Sequence, residues 1–478
     1  MFFKKKPAVP GEAQAAPQPI DAGTLRQVLG DSSDVILHEI DAGGVPCLVC
    51  YIDGMVDGRT LDQDVLRPLI QLEGLEGLHK GKQLLDLLQH NLLSIVNLKT
   101  CTDMDTLLHM IPKGFVALLV GREKTCILIE VKGFPQRTVS QPEDEVSIKG
   151  SKDAFIENIR ANTSLLRRKI ASPGLTFKML TLGRQTSTTV NIVYLAGVTN
   201  QTFIDETERR LKKLDVDGML VSGIVEEALA DQARNPFPQV ISTERPDKMA
   251  MWLLQGCVGV LVDGLPLGYI TPAVFSSFFR DPADYSQNYL FNTSIRILRY
   301  FLFIATLLIP AFYIAVTSFH IEMIPAELAV FIQKSREGVP LPSFVEVLIM
   351  LVAAEILAEA GMRMPKGIGQ TVSVVGGLLI GEATVNAHFV SSGVVVVVAI
   401  SIISSYTMIS YDFSSALRMW RFVLATLASF LGLFGLFIGM LLLLYSLCSL
   451  EVYGVPYLAP FVGYDSLREH DYLIRPPM

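Results

Sequence analysis

The chain has 478 residues, half of them in the apolar set and only 18% charged, with a mean hydropathy of +0.41; that is too apolar for a wholly water-soluble protein. A net charge of −7 offers no long-range attraction to a polyanion, so nucleic-acid binding is excluded as a leading function. The charges are also uneven: residues 293–450 hold 16 of the 87, about 10% of that segment against about 22% elsewhere, which divides the chain into a polar region and an apolar one.

Residues 1–20 run through Lys4, Lys5 and Lys6 into a Pro/Ala/Gln-rich stretch with no apolar h-region, and are expected to form a flexible leader without a secretory signal. From 21 to about 142, β-branched runs (35–40, 45–52, 94–101, 114–120 and 126–131) alternate with helical patterns at 61–72, 81–93 and 104–111. Gly121-Arg-Glu-Lys reads as a hairpin turn between two of the strands. A second unit is expected over 143–238. It opens with a helix at 151–170, with Ser151 as N-cap and a basic last turn, Arg167-Arg168-Lys169, suited to the helix dipole. Strands at 178–182 and 188–196 and helices at 201–214 and 222–230 follow.

Residues 239–292 read as a junction hairpin and pre-membrane segment. Gly256-Cys-Val-Gly-Val-Leu-Val-Asp-Gly264 echoes Gly114-Phe-Val-Ala-Leu-Leu-Val-Gly121; an echo this short reads as a recurring hairpin rather than a repeat. Residues 293–462 form the expected membrane domain, and 463–478 a tail. Three uncharged stretches there, 300–319, 389–411 and 422–450, reach the roughly 20 residues that a bilayer requires. Arg296 and Arg299 before the first, and Arg418 and Arg421 before the last, place those ends in the cytoplasm. Pro310 is expected to kink the first. Two further apolar stretches, 344–360 and 367–381, are too short or too charged to face lipid. The fold class expected is therefore α/β, as two cytoplasmic subdomains, followed by an α-helical polytopic membrane domain.

The acids of the apolar half carry the most chemistry. Glu355 and Glu359 share a helix face, while Glu346 points roughly to the opposite side. An ionised carboxylate in hydrocarbon is costly, so this face should meet a polar cavity, a partner or a cation. With Glu382, Gln370, Ser373 and Asn386 it forms a candidate ion path; the competing reading pairs Glu355 and Glu359 with Arg363 or Lys366 at a membrane surface. Glu244, Arg245 and Asp247 form a candidate domain-coupling cluster, against a plain solvated loop. Cys47-x-x-Cys50 falls inside an apolar run with Cys101 and Cys126 widely spaced, so the cysteines read as buried core of a reducing compartment rather than a metal or redox site. His320-x-Glu322 reads as a helix-end feature. No catalytic or nucleotide-binding motif stands in the chain, so no enzyme, metal or cofactor is expected.

Several blocks, in order, carry a resemblance: Asn235-Pro-Phe-Pro-Gln-Val, Ser242-Thr-Glu-Arg-Pro-Asp247, Val262-Asp-Gly264, Phe278-Phe-Arg-Asp-Pro-Ala-Asp-Tyr285, Arg336-Glu-Gly-Val-Pro340, Glu355-Ile-Leu with Glu359-Ala-Gly361, Ile368-Gly-Gln370 and Gly454-Val-Pro-Tyr457. Together with Phe155-Ile-Glu-Asn and Asn162-x-Ser-Leu-Leu-Arg-Arg168, these resemble the GerA family of bacterial spore germination proteins, the A-subunits of germinant receptors. The resemblance implies a multi-pass protein of the spore inner membrane with its N-terminal region cytoplasmic. It implies assembly with a transporter-like B-subunit and a lipoprotein C-subunit, and homo-oligomerisation into a nutrient-gated channel for monovalent cations. It leaves open an amplifying paralogue of the same family. A secondary transporter is a third reading, one that would need internal inverted repeats, and the spans show none.

Overall fold

The computed structural model describes residues 20–71, 98–133, 149–364 and 381–462, apart from 43, 122 and 124, together with 142, 145, 376, 377 and 474. Residues 1–19 of the expected leader, the expected helix at 81–93, and Gln370, Ser373 and Lys366 lie outside the described residues. Two compact units emerge: 1–230 with 240–272, and 231–239 with 273–477.

The first unit is built on two five-stranded antiparallel sheets. Its elements are α1 (Ala22–Leu29), β1 (Val35–Ala42), β2 (Val45–Ile52), α2 (58–70), β3 (Leu98–Cys101), α3 (Met104–Met110), β4 (Phe115–Val120) and β5 (Cys126–Glu130). Then come α4 (Ile159–Lys169), β6 (Leu175–Leu182), β7 (Thr188–Leu195), α5 (Gln201–Lys213), α6 (Ser222–Leu229), β8 (Ile241–Thr243), α7 (Pro246–Leu253), β9 (Val258–Val262) and β10 (Gly268–Thr271). The strand orders are β1-β2-β4-β5-β3 and β6-β7-β9-β10-β8. The second order is the first shifted by five, and each sheet is preceded by a helix and has a further helix before its third and before its fourth strand.

The Gly114 to Gly121 and Gly256 to Gly264 runs are therefore the fourth strand of each half. What reads in sequence as a recurring hairpin belongs to a repeated topology. Residues 241–271, expected to form a junction, supply three strands of the second sheet. The sequence reading missed this because β8 and β10 are short and follow a Pro-rich break.

The central strand of each sheet is apolar throughout because both of its faces are covered: every residue of β4 and of β9 is buried. Period-2 alternation divides β4 between two cores. Val116, Leu118 and Val120 pack with Leu61, Val65 and Leu69 of α2, while Phe115, Ala117 and Leu119 pack with Leu25, Leu29 and Leu107 of α1 and α3. In the second sheet Val190, Ile192, Val258 and Val260 pack with Ile204, Leu211, Val225 and Leu229.

Helix α4 begins at Ile159, eight residues after the expected start. Asn158 rather than Ser151 is the N-cap, its side chain accepting from the Arg160 and Ala161 N–H groups. Residues 151–156 are non-helical, held by the Ile156 N–H to Asn162 Oδ1 and the Phe155 N–H to the Glu244 carbonyl.

The second unit contains α8 (Tyr289–Phe319), α9 (Ala326–Ser335), α10 (Ser343–Arg363), α11 (Ser392–Ser405), α12 (Tyr411–Cys448) and a two-stranded ladder, β11 (Glu451–Val452) and β12 (Val455–Pro456). Among the described residues two helices, α8 and α12, are long and apolar enough to cross a membrane. The stretch expected to span 389–411 is not continuous: α11 has 14 residues, about 21 Å at 1.5 Å per residue, and Ser410 caps a new helix. The charged stretch at 344–360 is instead one uninterrupted helix of 21 residues, α10.

Helix α12 doubles back at Gly432, whose φ of 60° and ψ of −138° interrupt it. A Cβ on Gly439 would stand 2.5 Å from Leu424 Cδ2, whereas fifteen residues of straight helix would separate these positions by about 22 Å. Near its start, Phe413 and Trp420 stack around Phe237; near its end, Ser446 Oγ accepts from Asn235 Nδ2 at 3.1 Å. The segment 231–239 thus holds both ends of the hairpin. The expected single span at 422–450 becomes the tip and returning arm of this hairpin. Glycine supplies the positive φ that a side chain would resist, with Phe319 at the tip 3.0 Å from where a Cβ would lie.

Candidate functional site

Glu355 lies on α10 where that helix faces α12. Arg421 Nη2 donates to its Oε1 at 2.8 Å and Arg418 Nη1 to its Oε2 at 3.1 Å. The two arginines are three residues apart and therefore share one helix face. Arg421 Nη1 donates to Ser401 Oγ at 3.3 Å, and Ser401 Oγ donates to the Thr306 carbonyl at 2.8 Å. One hydrogen-bonded chain thus joins α8, α11, α12 and α10. Arg421 is 1% exposed and Glu355 29%. Arg418 also stacks over the Tyr411 ring at 5.1 Å and donates to Ser415 Oγ. A guanidinium removed from water needs such partners, and here two arginines share one carboxylate.

The rest of the expected ion path is arranged differently. Glu359 pairs with Arg363 at 2.6 Å, with side chains 54% and 80% exposed, which is the surface pairing that the competing sequence reading expected for it. Glu382 and Asn386 are exposed on a helical stretch at 381–386. Among the described residues no hydrogen bond or ion pair joins Glu355, Glu359, Glu382 and Asn386 to one another. Glu346 is the acid that sequence reasoning left out of the path. It is fully buried in the first turn of α10, and its Oε2 accepts from the Ser391 N–H at 2.8 Å. The available signal was its position: a helix N-terminus favours a carboxylate through the dipole.

A second charged set lies near the start of α8. Arg299 Nη1 donates to the Phe279 carbonyl at 2.7 Å, and Arg296 and Arg299 both stand 3.4 Å from Asp284. Asp284 sits in the Asp281-Pro-Ala-Asp284 turn, where its side chain accepts from the Asp281 N–H.

The candidate coupling residues lie at the start of α7 in the first unit. Arg245 grips Asp247 through Nε at 3.1 Å and Nη2 at 2.7 Å and is almost fully buried. Glu244 donates its N–H to Glu145 Oε2 at 3.2 Å, and the same carboxylate accepts from Thr243 Oγ1 and Lys248 Nζ. Thr243, Glu244 and Lys248 are thus tied to Glu145, an interaction with no local sequence signal because about a hundred residues separate the partners.

The two sheets of the first unit are joined by a buried ion pair. Arg167 donates to Asp34 through Nε at 2.9 Å and Nη2 at 2.8 Å, while Ser32 Oγ bonds Asp34 and accepts from the Phe177 N–H. The guanidinium also lies 5.0 Å from the Phe177 ring. Beside this joint opens a cleft of about 1130 Å³, lined by Tyr51, Asp53, Asp57, Lys132 and Arg160 among others. Hydrogen bonds from Thr60 and from the Arg59 N–H hold the Asp57 carboxyl below its ordinary value.

Cys47, Cys50, Cys101 and Cys126 are buried, Cys257 is half-buried and Cys448 is exposed. Burial pushes the Cys47 thiol up to about 11 and that of Cys50 to about 12, whereas nucleophiles and metal ligands need the thiolate. Cys101 and Cys126, distant in sequence, are register partners across β3 and β5.

The family model described as "Bacillus/Clostridium GerA spore germination protein" matches residues 23–478. Spore germination protein KA of Bacillus subtilis (strain 168) is 37% identical over 459 residues, covering 95% of this chain and 84% of that one. Spore germination protein B1 of the same organism is 34% identical over 463 residues, covering 95% and 93%. The crystal structure of the N-terminal domain of the A subunit of the Bacillus megaterium spore germinant receptor GerK3 is 28% identical, covering 55% of this chain and 98% of that chain with a TM-score of 0.42. The chain belongs to the GerA family of spore germination proteins.

Proposed function

We propose that this chain is the A subunit of a spore germinant receptor and that it couples nutrient sensing to release of monovalent cations, as one copy in a homo-oligomeric, ligand-gated channel of the spore inner membrane. The observation that carries the reading is the family match, which runs through both units rather than through one. In this proposal the second unit is multi-pass in the membrane and the first unit is cytoplasmic. Arg296 and Arg299 in α8, and Arg418 and Arg421 in α12, support that orientation, since cationic residues mark cytoplasmic ends. The partners are a transporter-like B-subunit and a lipoprotein C-subunit. No catalytic step or cofactor enters the role.

Glu355 is assigned a state-holding role rather than that of a bare ion ligand, because Arg418 and Arg421 already occupy its carboxylate. A change of state that separated α10 from α12 would have to break those bonds. Glu244, Arg245 and Asp247 are assigned to relaying that state. The test is monovalent cation flux from vesicles containing the full receptor complex, with and without candidate nutrients. Nutrient-dependent flux is expected; uptake of a nutrient by this chain alone would favour a transporter instead.

A further inference from the structure

Inside the second unit, four segments carry buried polar atoms in the neighbourhood of Glu346. Glu346 uses its Oε2 to accept from the Ser391 N–H. Its Oε1 lies 3.4 Å from Arg336 Nε but out of line for a hydrogen bond. Among the described residues, Glu346 Oε1, Arg336 Nε, Ser343 Oγ, Ser391 Oγ and Tyr313 Oη are all buried without a hydrogen bond of good geometry, although the Tyr313 and Ser391 hydroxyls are close enough to interact with each other. Glu346, Ser343 and Ser391 are each at most 2% exposed. Tyr313 stands close to Ser391, Glu346 and Arg336, and a Cβ on Gly393 would come within 3.1 Å of its hydroxyl. The five atoms come from α8, the loop after α9, the first turn of α10 and the N-cap of α11.

Buried polar atoms are almost always bonded, and a cluster of unbonded ones calls for a guest. The donor set decides its nature. Arg336 Nε–H can only donate and the ionised carboxylate can only accept, while the three hydroxyls do either. A cation would serve the oxygens but oppose the guanidinium and leave its N–H unbonded. An anion would serve the N–H and be repelled by the carboxylate. A small neutral guest that both donates and accepts satisfies every atom. We infer that this cluster is a buried water site, in which ordered waters bridge Glu346, Arg336, Tyr313 and the two serines and so tie α8, α10 and α11 together. A buried water typically makes two to four hydrogen bonds, so the five atoms call for more than one water.

X-ray hydroxyl-radical footprinting with mass spectrometry tests this on the full-length protein in lipid nanodiscs, because radicals formed from a bound water oxidise the side chain beside it. Tyr313 should be oxidised several-fold faster than two controls. These are its neighbour Phe312, which is exposed on α8, and Tyr457, which is fully buried with its hydroxyl already bonded to the Pro238 carbonyl. Ser343→Ala combined with Ser391→Ala should lower Tyr313 oxidation several-fold, and exchange of sodium for potassium or choline should leave it unchanged. Oxidation of Tyr313 no faster than that of both controls in the unmodified protein would overturn the water site. A loss of oxidation that depends on sodium or potassium would replace it with an ion site.

Discussion

Arg421 of α12 and Glu355 of α10 are joined at 2.8 Å although 66 residues separate them in sequence, and Ser401 extends the link to the backbone of α8. Removing the carboxylate leaves Arg418 and Arg421 facing each other without it. Glu355→Ala should therefore destabilise the helical unit by on the order of 3 kcal/mol, the lower end of the range for breaking a buried pair, since Glu355 is partly exposed. Arg421→Ala should cost a comparable amount, and the double variant less than the sum. Thermal unfolding of the four proteins in detergent checks the cycle; additive losses would dismiss the link.

Glu359 supplies the contrast. Its partner Arg363 is one turn away on the same exposed surface, so Glu359→Ala should change stability by no more than about 0.5 kcal/mol. The same unfolding assay reads it, and a loss as large as that of Glu355→Ala would mean that Glu359 has a buried partner.

In the first unit, Asp34→Ala leaves Arg167 fully buried without its carboxylate and should cost about 3–5 kcal/mol. Arg167→Lys should not restore the loss, because the bidentate geometry and the stacking on Phe177 both need the planar guanidinium. Denaturant unfolding of the full chain, followed in the transition of this unit, is the measurement.

Much of this first unit is legible in sequence, and the reason is physical. Strands β4 and β9 are covered on both faces and read as unbroken apolar runs, and helices α5 and α6 match their pattern to within a residue at each end. The start of α4 is not legible, because Asn158 and Ser151 are both good caps, and the bonds from the Phe155 N–H to the Glu244 carbonyl and from the Ile156 N–H to Asn162 Oδ1 decide between them. The same holds for the acids. Composition singles out Glu355, but nothing local says that Arg418 and Arg421 will meet it. Glu346 was passed over because its partners, Arg336 and Ser391, come from different segments. The hairpin in α12 was hidden by an apolar pattern that continues straight through Gly432.

That hairpin gives a distance test. With Leu424→Cys and Gly439→Cys, a short bifunctional thiol reagent should join the two positions within one chain, after Cys448, the exposed native cysteine, is replaced by serine. A straight helix would hold them about 22 Å apart and beyond its reach. Gly432→Ala should be destabilising by about 1–3 kcal/mol, because the residue must take up a positive φ.

Acid should weaken the first unit through Glu206. Hydrogen bonds from Arg209, and then from Arg210, hold its carboxyl down at about 2 in the folded chain, below the ordinary glutamate value of about 4.3. A depressed folded value means that the contribution is fully present above pH ~4.3 and is lost as pH falls toward 2. The difference in unfolding midpoint between the unmodified chain and Glu206→Gln should shrink over that interval; a constant difference would show that the carboxylate is not held by these arginines.

The central claim, that the chain couples a nutrient signal to cation release through the Glu355 link, is tested most directly by flux from vesicles holding the assembled complex. The unmodified complex should release potassium only when nutrient is added, and the complex carrying Glu355→Ala should assemble yet release it with altered nutrient dependence. Identical nutrient-dependent flux from both complexes would contradict the account.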